Sequence, residues 1–364
     1  MDTLLSLRVA ITEIVSPKPT ELIPASIGCE EIEVAALCGI LARGGVRVTV
    51  ANVGGELHHV VKLAQGTGVQ ADKPIEFCVN DAYDVIAVPG GRLVLLNGLE
   101  AGSFHLLIKK LSLSANMMAG GTSAYTALED EDLPVQAIPY VKPQALIVVT
   151  DGSDELETLT LSDVFVRGGL HVIIGAVGRV KNNIIVGNYG LHIQADKAIE
   201  ECSFESFELI VVPGGDGASH LRDSELLIKM LLWQKQAGRW IAASSSAPAV
   251  VLNPHGLLND RATCSRTHEH LMTRMFVDED VVVDTRCVTS QGAGTVLKFA
   301  LVLVKLLNGG ADCSQSCERT LVFFDVNFVQ LSTAPYCECI SNTLLRKMNH
   351  EIVTQFCTRT SIVQ

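Results

Sequence analysis

The chain has 364 residues, 48% of them apolar, enough to furnish two globular cores. Its 40 acidic side chains against 28 basic ones leave a formal charge of −12, which repels phosphate backbones and anionic membrane surfaces, and no local basic patch offsets it. The apolar runs at 145–149 and 299–304 are too short to cross a bilayer, and Lys298 and Lys305 flank the second, so neither nucleic acid nor a membrane is an expected partner.

In chain order, 1–21 is an N-terminal extension without the basic start and long apolar stretch of a secretory signal or the Arg/Ser-rich pattern of a transit peptide, which makes the cytoplasm the expected location. Beyond it the sequence repeats at a constant offset of 124 positions. Gly28-Cys29-Glu30-Glu31-Ile32-Glu33 returns as Gly152-Ser153-Asp154-Glu155-Leu156-Glu157, and Arg43-Gly44-Gly45 returns as Arg167-Gly168-Gly169. Pro89-Gly90-Gly91 returns as Pro213-Gly214-Gly215, and the stretch 119–128 returns as 243–252. The chain therefore holds two copies of one domain, expected at 22–143 and 144–310.

Each copy opens with a short apolar strand (22–27; 146–150) that leads through glycine into an acidic helix start, and each helix stops at a Gly-Gly pair. A second strand (46–50; 170–174) and a continuous apolar strand (85–88; 209–212) follow, the latter stopped by Pro-Gly-Gly. Strands buried on both faces and alternating with helices predict a parallel sheet covered on both sides, so each copy reads as a doubly wound α/β domain. The second copy continues through 261–265 and 281–290 into a helical stretch at 295–307, whereas the first runs out through Glu129-Asp130-Glu131-Asp132 and a linker, so the first domain is truncated.

The tail, 311–364, repeats nothing and is given no fold. Its C-x-x-x-C and C-x-C spacings (Cys313, Cys317, Cys337, Cys339) can in principle hold zinc, but no histidine motif accompanies them and no metal is expected. Eleven cysteines, an odd number set mostly in apolar segments, read as reduced thiols. Without a Gly-x-Gly-x-x-Gly turn after either first strand, no nicotinamide or flavin cofactor is expected.

Ligands of an open parallel sheet bind beyond the carboxyl ends of its strands. Three repeated landmarks fall there: the acidic helix start (Glu33, Glu157), the Pro-Gly-Gly, and the segment Ala243-Ser244-Ser245-Ser246-Ala247-Pro248-Ala249, which reads as a strand turning sharply into a helix. With the stretch 207–215 and Val288-Thr289-Ser290-Gln291-Gly292-Ala293-Gly294-Thr295, these motifs resemble the ThiJ/PfpI family, the DJ-one superfamily of glyoxalase III and protein deglycase members, over roughly 22–128 and 146–310. The resemblance implies two flavodoxin-like domains of the class I glutamine amidotransferase type.

It also implies a site in which a cysteine at the sharp turn is hydrogen-bonded by a glutamate of the first helix, with Gly-Gly amides forming an oxyanion-type pocket. By position the cysteine's place is Ser245 in the second copy and Gly121 in the first. The glutamates persist as Glu157 and Glu33, and the glycines as Gly214-Gly215 and Gly90-Gly91, with Ser246 adjoining the pocket. A thiol ionises near neutral pH when its surroundings favour it, whereas a serine hydroxyl needs a general base. The family's pocket histidine falls at Ser265-Arg266, and His268 and His270 a few residues on read first as loop histidines.

Gly121 offers no side-chain chemistry, so the first copy reads as structural. Cys29 sits among carboxylates that disfavour its thiolate, and Cys264, near the second copy's mouth, is a redox candidate. Two functions remain. In one, the protein is a weakly active or non-catalytic binding or chaperone-like descendant, its two copies forming a pseudo-dimer within one chain, with small reactive carbonyls as partners and room for a homo-oligomer. In the other, it is a glutathione-independent glyoxalase or deglycase, a lyase or hydrolase, using Ser245 and Glu157 on methylglyoxal or its adducts.

Overall fold

A computed structural model describes residues 18–53, 60–78, 81, 83–90, 116–119, 142–178, 180–272 and 274–308. In the first copy β1 (Thr20–Ala25), β2 (Arg47–Asn52), β5 (Lys73–Pro74), β6 (Val85–Val88) and β7 (Asn116–Ala119) form one parallel sheet in the order β5-β2-β1-β6-β7. The second copy has β8 (Gln144–Val149), β9 (His171–Ala176), β12 (Lys197–Ala198), β13 (Leu209–Val212), β14 (Trp240–Ser244), β15 (Val281–Asp284) and β16 (Cys287–Ser290), in the order β12-β9-β8-β13-β14-β16-β15. All its pairings are parallel except β15 with β16.

The run β9-β8-β13-β14-β16 has the 2-1-3-4-5 order of a flavodoxin-like sheet, and the first copy reproduces it as far as its fourth strand. Among the described residues the first copy has no counterpart of β16 or of the helix that follows it. The apolar runs 85–88 and 209–212 form the strands expected of them because every side chain of such a run can be buried on one face or the other.

Helix α1 (Glu31–Arg43) and its repeat α2 (Glu155–Arg167) end at Gly44 and Gly168, with Gly45 and Gly169 at positive φ. Helix α3 (Glu225–Gln236) packs on the opposite face of the second sheet among Phe207, Leu221 and Ile241. Helix α4 (Val296–Leu307) closes the second copy against α2 through Phe299, Ala300 and Leu303. With α1 on one flank and α4 on the other, α2 is buried along most of its length, acidic residues included.

The two copies share one core. Ile23, Val34 and Val69 of the first belong to the same buried cluster as Ile147, Leu161 and Ile193 of the second. Two hairpins join across the boundary: β3 (Val60–Lys62) with β4 (Gly68–Gln70), and β10 (Ile184–Val186) with β11 (His192–Gln194), make a four-stranded antiparallel sheet in the order β10-β11-β4-β3. Val69 pairs with Ile193, its own counterpart in the repeat, as a local two-fold axis at that point requires. These strands of three residues each were invisible to periodicity.

The helix ends repeat the relation. Arg43, in the last turn of α1, forms an ion pair with Asp154 at the start of α2, and Arg167 in the last turn of α2 pairs with Glu30 at the start of α1. The helices therefore lie antiparallel, each cationic end against the other's anionic start, as the helix dipole favours.

Candidate functional site

The second copy's site is assembled at the carboxyl ends of β8, β13, β14 and β16. Asp154 caps α2, its Oδ1 accepting from Leu156 N at 3.0 Å and Glu157 N at 3.2 Å. That first turn directs Glu157 inward, where it is wholly buried. Its Oε2 accepts from Gly214 N at 2.8 Å, after β13, and from Ser244 Oγ at 2.5 Å, at the end of β14. Its Oε1 is buried and has no hydrogen-bond partner.

Burial is the main reason that Glu157 is pushed up to about 8, helped by the charge of Asp154; the Ser244 and Gly214 hydrogen bonds and Arg43 act the other way. Burial thus favours the neutral acid of this side chain over its carboxylate. Because Oε2 already accepts twice, Oε1 is the oxygen left to carry the proton and donate it.

Ser245 occupies the sharp turn with φ 57°, a left-handed conformation rare for a residue with a side chain and costing roughly 1–3 kcal/mol. The turn is over-determined: Ser245 N donates to Ser290 O at 3.0 Å, and Ser245 O accepts from Ser265 N at 2.8 Å. A Cβ on Gly214 would lie 2.4 Å from Ser245 Cβ, so only glycine lets β13's loop pass beneath the turn. Gly292, at φ 145°, comes next to both groups: a Cβ there would stand 3.5 Å from Ser245 Oγ and 3.7 Å from Glu157 Oε1.

Two expectations change at this level of detail. Glu157 does not hydrogen-bond Ser245; the neighbouring Ser244 hydroxyl takes its oxygen instead. Gly214 does not offer its amide to a ligand, because Glu157 Oε2 already accepts it. The N–H groups of Gly215 and Ser246, by contrast, make no hydrogen bond among the described residues, and Ser246 Oγ is tied to Gly215 O at 3.1 Å. Those two amides are the donors left for an oxyanion or carbonyl oxygen.

Ser245 Oγ, partly exposed, also makes no hydrogen bond among the described residues. His268 is more than a loop histidine: its Nδ1 lies 2.8 Å from Ser265 Oγ, on the residue that bonds Ser245's carbonyl, and burial lowers its proton affinity. It does not reach Ser245 directly. Cys264 is buried, and burial pushes its thiol up to about 11, away from the thiolate that a redox role would use. Cys29 is likewise buried and raised.

In the first copy Glu33 accepts from Gly90 N, repeating the Glu157–Gly214 contact, but Glu33 is only half-buried. Burial raises it, partly offset by the Gly90 hydrogen bond. Gly91 and Gly121 lie outside the described residues, as do the tail cysteines. All six described cysteines are unpaired and buried. Among the described residues no helix is long and apolar enough to cross a membrane.

Sequence reasoning missed Ser244, Asp154 and Arg43 as parts of the site. Ser244 adjoins Ser245, and Asp154 carried the signal of an N-cap three residues before Glu157. Arg43, from the other copy, carried none.

The model of the DJ-1/PfpI family matches residues 22–105 and 143–306. Protein DJ-1 homolog B of Arabidopsis thaliana is 26% identical over 391 aligned residues, covering 83% of this chain and 87% of that protein. Glutathione-independent glyoxalase DJR-1.2 of Caenorhabditis elegans is 32% identical over 171 residues, 46% of this chain and 90% of that protein. Among solved structures, oxidized DJ-1 of Toxoplasma gondii matches with 30% identity and a TM-score of 0.47, covering 49% of this chain and 98% of that one. The family model spans both copies and most of the chain, and the protein belongs to the DJ-1/PfpI family.

Proposed function

We propose that the second copy binds small reactive carbonyl compounds of the methylglyoxal type without the covalent thiol step. On this reading the protein is a binding, chaperone-like member of its family, serving the response to reactive carbonyls or oxidative stress. The observation that carries it is the geometry of the two central groups: among the described residues Ser245 Oγ has no hydrogen-bond partner, and Glu157 is wholly buried with one unpartnered oxygen. A neutral carboxylic acid donates a hydrogen bond to a carbonyl oxygen, as the free Gly215 and Ser246 amides also can. It cannot take the proton of a hydroxyl as that hydroxyl attacks. Unpaired, buried thiols suit a reducing compartment, which supports a cytoplasmic setting.

Saturation-transfer NMR with methylglyoxal tests the binding. Transfer is expected with the parent, lost in Glu157→Leu and kept in Glu33→Leu; no transfer with the parent, or equal loss in both variants, would remove the reading.

One observation favours a second reading, a glyoxalase- or deglycase-type enzyme using Ser245 and Glu157. Ser245 stands in a strained left-handed turn at φ 57°, and one of the relatives is named as a glutathione-independent glyoxalase. Turnover by the parent that disappears in Ser245→Ala would favour it.

A further inference from the structure

The two clamps between α1 and α2 are equivalent in sequence but not in occupancy. Arg167 serves two carboxylates: its Nη2 pairs with Glu30, and its Nε donates to Asp163 Oδ1 at 2.9 Å, one turn earlier on the same helix. The counterpart of Asp163 in α1 is Gly39. A Cβ on Gly39 would stand 2.7 Å from Arg43 Nη1, so the absence of a side chain lets the guanidinium fold back over its own helix. Arg43 then lies 4.0 Å from the Tyr189 ring centroid, and among the described residues its buried Nη1 has no hydrogen bond and its one ion pair is with Asp154.

Asp154 is the residue that caps the turn carrying Glu157. The charged groups that face Glu157 are Asp154, from its own helix, and Arg43, from α1. The end of β14 and the loop after β13 bring only the neutral donors Ser244 and Gly214, and the turn at Gly292 adds no charge.

We propose that Arg43, a residue of the first copy, is a positioning residue of the second copy's site: it holds Asp154 on the α2 cap and offsets its charge beside Glu157, and Gly39 keeps the guanidinium undivided for that role. This rests on the second copy being the working one. It gives the first copy a part in the chemistry, since the cation at the site comes from across the boundary. At the other end, Arg167 is shared between Glu30 and Asp163, and no such surplus reaches Glu33.

The test is a carboxyl titration of the full chain, labelled with carbon-13 at glutamate side-chain carboxyls, with the Glu157 signal assigned by its loss in Glu157→Gln. Removing a nearby cation and leaving Asp154 uncompensated both disfavour the carboxylate, so Arg43→Met is expected to move the Glu157 midpoint up by about one unit. Gly39→Asp, which gives Arg43 a second carboxylate as Asp163 does for Arg167, is expected to move it up by less. Arg43→Lys stays nearer the parent, and Arg167→Met leaves the midpoint in place.

An unchanged or lower midpoint in Arg43→Met would overturn the proposal. Should Arg43→Met fail to fold, Gly39→Asp decides alone, an unchanged midpoint again overturning it. The titration needs no ligand, so a failed carbonyl-binding experiment would remove the functional reading without touching this result, and the reverse holds as well.

Discussion

The first copy keeps what the fold needs, and the second keeps that plus a buried acid and an elbow. The repeated acidic motif shows the division residue by residue. Glu31 and Glu155 do the same structural work, each accepting a backbone N–H of its hairpin turn, from Gln65 at 2.7 Å and Tyr189 at 2.9 Å. Asp72 and Asp196 likewise accept from Val50 N and Ile174 N in the two copies. Glu33 and Glu157 share the Gly90 or Gly214 contact, but only Glu157 is wholly buried and bonded to a serine at the end of its fourth strand. The lesson is that a repeated glutamate in this motif does not by itself mark chemistry; two of its three carboxylates are braces.

The comparison can be broken most forcefully through the shared core. Ile23 and Ile147 are counterparts, both fully buried in the same cluster. Ile23→Ala and Ile147→Ala are each expected to cost about 2–5 kcal/mol, read by urea unfolding as a lower midpoint of one common transition. Two separate transitions, each sensitive to only one of the variants, would show the copies to be independent units.

A smaller effect sharpens a difference between the copies in β1 and β8. Glu21 is buried with both oxygens unpartnered, where the second copy has Ala145. Burial pushes Glu21 up from 4.5 to about 8. The folded state thus holds this proton more tightly than the unfolded one, and stability falls as pH rises from the ordinary carboxyl range towards about 8. Glu21→Met is expected to stabilise by about 1–3 kcal/mol at pH 8, the cost of burying a polar group without a hydrogen bond, and by less at pH 5. Glu31 and Glu155, raised to about 8 and about 7, leave a slope of the same sign behind. Equal effects at the two pH values would mean that Glu21 is not a buried acid.

Much of the fold was legible because a duplicated sequence states its own boundaries and because Gly-Gly and Pro-Gly-Gly stops punctuate it. The strands at 85–88 and 209–212 came out to the residue, since a short apolar run ended by proline and glycine has few other readings. The sheet between the copies was not legible: β3, β4, β10 and β11 are too short for a period, and their partners are a domain away. At the site, the positions of Ser245 and Glu157 could be read from motifs, but hydrogen-bond choices could not. That Ser244 rather than Ser245 holds Glu157 depends on side-chain direction at a left-handed residue. The burial of Cys264 could not be read either, because nearness to a site along the sequence says nothing of exposure.

The central proposal is that the second copy's site, with Ser245 at its turn, binds carbonyl compounds without a covalent step. Glutathione-independent conversion of methylglyoxal to lactate, measured on the purified parent, Ser245→Ala and Ser245→Cys, tests it most directly. The account predicts background rates for the parent and Ser245→Ala and turnover that emerges in Ser245→Cys, where a thiol can ionise without a separate base. Turnover by the parent that vanishes in Ser245→Ala would contradict it.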